Sequence, residues 1–224
     1  LYVPQFNVDH VVEGLRQIQK LATEPNKIAS DYWRQELDHE KFKAKVRELA
    51  GYDPKQYWED RAPAWVSQAA AMPIEVDEVK AVFAETGAKS VLDLGCGDGR
   101  WYPHLKEWGV EDYFGVDISQ RLVKAAKDRF PHLKKNFADS KVEDYVPEKQ
   151  YDLVFSYTCF EHIKPEDWGK AVENVKKMGK KLLLIEPTNF TSRYYCHVHP
   201  YEEDFKVIKK VQLKDKVILL CDLQ

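Results

Sequence analysis

The chain has 224 residues, of which 44% are hydrophobic and 32% charged, with a net charge of −3. That is the composition of one compact α/β domain with a modest extension, and its near-neutral balance lacks the broad electrostatic footprint expected of a DNA binder. No apolar run approaches the roughly 20 residues of a membrane span, and Cys96, Cys159, Cys196 and Cys221 are too scattered for a Cys-x-x-Cys knuckle, so reduced thiols in a cytoplasmic compartment are expected.

Leu1 in place of an initiator Met is expected of a trimmed or processed start, and no signal-peptide pattern opens the chain. The first elements read as helices. Asn7 can cap one that places Val8, Val11, Val12, Leu15 and Ile18 on one face, and Pro25-Asn26 breaks it. A second is predicted from Ser30 or Asp31 toward Leu49, with Gly51 as its stop and a thin apolar stripe of Trp33, Leu37, Val46 and Leu49. Tyr52 to Trp65 follows, dense in aromatic residues interleaved with charge and proline. It does not read as a simple amphipathic face. It is either a cap over a ligand or an aromatic hinge that packs the extension onto the core. The division expected is a helical extension over 1–72 and a core domain over 73–224. Pro73 then opens a helix carrying Val76, Val79, Val82 and Phe83, closed by Gly87.

From Lys89 the pattern changes to strand–helix alternation, which implies a parallel sheet with right-handed crossovers. Ser90 to Leu94 reads as a buried strand, and Gly95-Cys96-Gly97-Asp98-Gly99 turns it into a helix through Trp101, Leu105 and Trp108. Glycines suit a turn whose backbone approaches a ligand closely. The spacing departs from the dinucleotide fingerprint, whose third glycine would fall at Arg100. Further strands are predicted over Tyr113 to Asp117, Leu133 to Ala138, Tyr151 to Ser156 and Leu182 to Ile185. Ser119 caps the helix after the second, and Pro165 opens a helix with Trp168, Ala171, Val172, Val175 and Met178 on one face, stopped by Gly179. Phe205 to Leu213 and Lys216 to Leu223 flank Lys214-Asp215 as an antiparallel hairpin.

Val91-Leu92-Asp93-Leu94-Gly95-Cys96-Gly97, Gly115-Val116-Asp117-Ile118-Ser119 and the run Asp152-Leu153-Val154 … Glu161-His162-Ile163 together resemble the class I S-adenosylmethionine (SAM)-dependent methyltransferases, over roughly residues 73–224. The resemblance implies a Rossmann-like, doubly wound, seven-stranded α/β sheet whose last strand is antiparallel, with SAM as cofactor. It implies that Asp93, Gly95, Cys96 and Gly97 hold the amino-acid end of SAM, that Asp117 accepts the ribose hydroxyls, and that Ile118 packs on adenine. Asp139, with Ser140, is implied to meet the adenine amine, and Tyr157 lies where strand four reaches the cofactor. Tyr57-Trp58-x-x-Arg61-Ala62 is similar to a segment before the core of many small-molecule methyltransferases, so Tyr57 and Arg61 are expected at the cofactor.

Histidine suits a general base near neutral pH, and His162, His197 and His199 are the candidates, His162 first. Glu161 is its neighbour, but adjacent side chains are expected to diverge. His197 and His199 with Glu202, Glu203 or Asp204 give two ligands without a definite third, so no metal is expected. Glu186, Asn189, Arg193 and Tyr195 are expected to shape the acceptor site. The acceptor is expected to be a small molecule, a saccharide or natural-product intermediate, methylated on oxygen or nitrogen. Protein or tRNA as acceptor, or a non-catalytic SAM-binding subunit, are the other readings. The helices before residue 50 are available for association with a second copy or a partner subunit.

Overall fold

The computed structural model describes residues 53–68, 74–188 and 196–224. The two helices expected before residue 50, and Pro73, lie outside the described residues. The strands are β1 (Ser90–Leu94), β2 (Asp112–Asp117), β3 (Phe137–Asp139), β4 (Tyr151–Tyr157), β5 (Gly179–Pro187), β6 (Lys206–Gln212) and β7 (Lys216–Asp222). They form one sheet in the order β3-β2-β1-β4-β5-β7-β6. β1 to β5 pair in parallel, and β7 inserts antiparallel between β5 and β6. The strand order reverses beside β1 and β4, and ligands of open parallel sheets bind beyond the carboxyl ends of such a switch point.

The helices are α1 (Pro54–Gln68), α2 (Val76–Ala84), α3 (Tyr102–Glu107), α4 (Gln120–Arg129), α5 (Pro165–Met178) and α6 (Tyr201–Asp204). Because successive strand side chains point to opposite faces, each inner strand feeds two cores. Leu92, Leu94, Val154, Leu182, Leu184 and Leu219 pack with Trp168, Val172, Val175 and Met178 of α5. Val91, Leu153, Phe155, Leu183, Ile185 and Ile218 pack with Val79, Val82 and Phe83 of α2 and Val123 and Ala126 of α4. The inner strands are buried on both faces, which is why they read as continuous apolar runs rather than alternating ones.

Three elements differ from the sequence expectation. Pro131–Asn136 is a 3₁₀ helix, so β3 is only Phe137–Asp139. Pro131 fixes its own φ, the Leu133 amide turns back to Phe130 O, and Lys134 and Lys135 stay exposed, so Leu133 packs on the core from the 3₁₀ turn rather than from a strand. The helix after the glycine turn begins only at Tyr102, because Gly97 and Gly99 both have positive φ and the turn runs on to Trp101. Third, within the expected aromatic stretch, Pro54 to Trp65 lies in a helix despite its aromatic density. Pro54, Tyr57, Trp58, Arg61 and Trp65 fall on one side of α1 and line the same cleft, the 3.6-residue spacing of a helical face.

α4 supplies a fold-level test. Ser119 is its N-cap, the hydroxyl accepting from the Leu122 amide at 3.2 Å, and it is fully buried. Ser119→Ala is expected to cost about 1 kcal/mol in urea unfolding, and an unchanged midpoint would contradict the cap's role.

Candidate active site

A cleft of about 550 Å³ opens over the carboxyl ends of β1, β2 and β4, with α1 along one side. That volume lies within the range of small-ligand sites. Gly95, Gly97, Arg100, Val116, Asp117, Ile118 and Ser140 line it from the first three strand ends. Tyr157, Thr158, Cys159, Glu161 and His162 line it from the segment after β4.

The glycine turn is closed by Asp117. Its Oδ2 accepts from the Gly97 amide and its Oδ1 from the Ser119 amide, both at 2.9 Å. Burial pushes its carboxyl up to about 6, against those two N–H donors. Each carboxylate oxygen has a further lone pair, so Asp117 holds the turn and can still accept hydroxyls from a ligand. Gly95 is a glycine for a different reason from the one the motif suggests. At φ +77° a Cβ there would lie 2.5 Å from Cys159 Cβ, so the space a side chain would take belongs to the turn after β4. At Gly97, φ +56°, a Cβ would face Trp65 Nε1 across the cleft at 3.4 Å.

Glu186 fixes the segment after β4. Its carboxylate accepts from the amides of Cys159, Phe160 and Glu161 at 2.9–3.3 Å. It is fully buried, and burial with the neighbouring Glu161 pushes its carboxyl up against those donors. Just before this turn Thr158 adopts φ +52°, an uncommon conformation for a β-branched residue, with its amide bonded to Ile185 O. His162 ends the 3₁₀ turn Phe160–His162, its ring edge-on to Trp58 at 5.0 Å. Glu161 and His162 meet rather than diverge, with Glu161 Oε1 3.7 Å from His162 Nε2. On so tight a turn the Glu161 side chain is long enough to reach its neighbour's ring.

Other expected site residues sit elsewhere. Asp93 is buried off the lining, accepting from Tyr113 OH at 2.7 Å, and Cys96 is buried behind the turn with its sulfur close to Gly115. Asp139 is exposed and accepts from Gln120 Nε2, whereas Ser140 reaches the cleft. Glu186 is taken up by backbone and is not open to an acceptor. His197 and His199 are buried and off the lining. His199 stacks on Trp168 at 4.0 Å with Nε2 at 3.0 Å from Ile163 O, and the His197 amide donates to Glu161 O at 2.7 Å. Both pin residues 196–200 to the turn after β4. Glu202 pairs with Lys210 and Asp204 accepts from Trp168 Nε1, so neither joins those imidazoles as a ligand. Asn189, Arg193 and Tyr195 lie outside the described residues.

The sequence places Tyr57, Arg61 and Tyr157 here but does not single out their partners Trp58, Trp65, Glu75 and Lys216. Trp58 and Trp65 join Tyr57 and Arg61 in the lining, signalled by their spacing once α1 is a helix. Glu75, Tyr157 and Lys216 form a cluster at the far side. Tyr157 OH donates to Glu75 at 2.6 Å, and Lys216 Nζ donates to Glu75 at 2.7 and 2.9 Å and to Tyr157 OH at 2.8 Å. Though burial opposes it, Lys216 and Tyr157 hold Glu75 below its usual range. No local pattern announces a cluster whose members lie up to 141 residues apart.

Residues 91–181 match the profile of a methyltransferase domain family. The chain is 27% identical over 153 residues to a tRNA N(3)-methylcytidine methyltransferase of Schizosaccharomyces pombe, covering 59% of this chain and 48% of that protein. It is 38% identical over 78 residues to a malonyl-[acyl-carrier protein] O-methyltransferase of Ilyobacter polytropus, covering 33% and 28%. The chain thus spans about half or less of these curated relatives. Among solved structures, a TehB-like SAM-dependent methyltransferase from Corynebacterium glutamicum superposes with a TM-score of 0.58 at 19% identity, covering 75% of this chain and 98% of that one.

Burial pushes the Asp93 carboxyl up to about 7, despite the Tyr113 bond, and the Asp117 charge adds to the rise. The folded state therefore keeps a proton that the unfolded chain has released above about pH 4. Stability should fall as pH rises from about 4 to about 7, by up to about 1.4 kcal/mol per unit. Asp93→Asn, which keeps an oxygen for Tyr113, is expected to make that fall shallower in denaturant melts at pH 5 and 8, Asp117 supplying the remainder. An identical pH dependence in both proteins would contradict the assignment.

Proposed function

We propose that this chain, whose residues 91–181 match a methyltransferase domain family, is a class I SAM-dependent methyltransferase that binds SAM in the cleft and transfers the methyl group to an oxygen or nitrogen of a small-molecule acceptor. The observation that carries the reading is the position of Asp117. It is a nearly buried carboxylate at the end of β2, held by two backbone amides and still in the cleft lining. A ribose diol suits its remaining lone pairs. The Gly95–Gly97 turn leaves room beside it for the amino-acid end, because a Cβ at Gly97 would narrow the gap to Trp65. Ile118, Leu122 and Val142 offer an apolar wall for adenine, with Ser140 at its edge. Arg61, Tyr57 and Tyr157 complete the enclosure.

SAM when bound supplies a methyl group activated on a sulfonium. The chain's own residues then have to place an acceptor about 3 Å from that carbon, in line with the departing sulfur, and keep water out. α1 serves exclusion: Trp58 and Trp65 contact each other edge-on at 5.5 Å beside the cleft. His162, the histidine among the described residues that lines the cleft, is placed to meet the acceptor's proton. The relatives named above act on a tRNA and on a malonyl-carrier protein, and a small acceptor is favoured here by charge. Arg61, Arg100, Lys141, Lys164 and Lys216 are offset in the lining by Glu75, Asp117, Glu143, Glu161, Asp167 and Asp215, and a polyanion calls for a basic surface. Among the described residues no helix is long and apolar enough to cross a membrane.

Asp117→Ala is expected to weaken S-adenosylhomocysteine binding by more than 10-fold in calorimetry, with the circular dichroism of the native fold retained. Unchanged affinity would remove the assignment. Labelled SAM incubated with the protein and metabolite extracts, or with bulk tRNA, identifies the acceptor class; label entering tRNA alone would overturn the small-molecule reading.

A further inference from the structure

The geometry points to a divalent-metal site where the turn after β4 meets the segment beginning at Cys196, with Glu161, His162 and Cys196 as ligands and zinc as the ion they suit. One ligand atom from each lies within 4.8 Å of the others. Thiolate, imidazole and carboxylate are the donor types zinc accepts, with bonds of roughly 2.0–2.3 Å, whereas calcium and magnesium favour all-oxygen sets. Glu161 and His162 are neighbours in the chain and Cys196 follows well after them, and nothing in the spacing of the cysteines or histidines announces the group.

Two features of the scaffold hold the donors ready. Glu186 clamps the turn through three backbone amides, and the His197 amide bonds to Glu161 O, which ties the residue after Cys196 to the residue before His162. Supporting shells of this kind are what keep ligands in place. Glu161 and Cys196 are buried, while His162 and Glu161 also line the cleft. An ion held there has protein on one side and the cleft on the other, the arrangement of a site with three protein ligands and an open fourth position. It would also offset the charge of Glu161 beside the buried Glu186 carboxylate.

The role of the ion rests on the methyl-transfer reading: an acceptor hydroxyl in the open position loses its proton to solvent more readily, and the oxygen–carbon bond forms as the carbon–sulfur bond breaks. His162 then spends its lone pair on the metal, and the metal takes over the proton-releasing task.

The test uses the full chain stripped with chelator and titrated with zinc chloride by calorimetry and with cobalt chloride by absorbance. One equivalent is expected to bind, with a thiolate-to-cobalt charge-transfer band. Cys196→Ser should abolish that band and weaken zinc binding at least 10-fold, and His162→Gln should weaken zinc binding similarly with the band retained. Cys221→Ser, in β7 away from the cluster, should change neither. If Cys196→Ser fails to fold, His162→Gln carries the test. Failure to take up one equivalent, or uptake indifferent to both variants, overturns the site. S-adenosylhomocysteine titrated in parallel separates the two claims: its binding without zinc uptake overturns the metal site alone, and zinc uptake without its binding supports the site and overturns the methyl-transfer reading alone.

Discussion

The carboxylate of Asp117 is the constraint on which the cleft depends. By accepting from Gly97 and Ser119 it joins the turn after β1 to the start of α4 and sets the distance between the first two strand tips. The cost is a buried charge, visible as a carboxyl pushed up to about 6. Its neighbours are arranged around that charge. Ser119 caps the helix that Asp117 precedes, and Ser140 donates its amide to Asp117 O, bringing the exit of β3 to the same place.

α1 closes the cleft through a second electrostatic device. Pro63 lacks the N–H that would bond to Glu59 O within the helix, and Arg121 donates a guanidinium N–H to that oxygen instead, at 3.1 Å. The Glu59 carboxylate accepts from the amides of Gln120 and Arg121, the unpaired donors at the N-terminus of α4. One residue thus uses both its backbone and its side chain to dock the aromatic face of α1 beside the Asp117 carboxylate. The proline that looks like a helix breaker in the sequence is what leaves a carbonyl available for this contact.

The fold was legible because its signals are local. Buried parallel strands read as apolar runs, glycines mark turns with positive φ, and Pro165 and Gly179 bracket α5. The sequence predicts a longer β3 because Leu133 reads as the start of a strand, whereas Pro131 already commits the chain to a 3₁₀ turn. Site residues divide on the same line. Gly97, Asp117 and Ile118 sit next to strand ends and could be placed from them. Glu186 and the His197–His199 pair could not, because whether a polar residue faces ligand or backbone depends on which neighbouring segment supplies its partner. The meeting of Glu75, Tyr157 and Lys216 depends on the β5–β7 register, in which Pro187 lies opposite Lys216, and no window of sequence contains that information.

The central claim is that an adenosine lies across the tips of β1, β2 and β3 with its ribose on Asp117. Co-crystallisation with S-adenosylhomocysteine tests it most directly. The account predicts density for the ligand in this cleft, both ribose hydroxyls within hydrogen-bond distance of Asp117, and its sulfur directed toward the turn that carries His162. Density for the ligand elsewhere on the molecule, or strand tips filled by the protein's own side chains at saturating ligand, would contradict it.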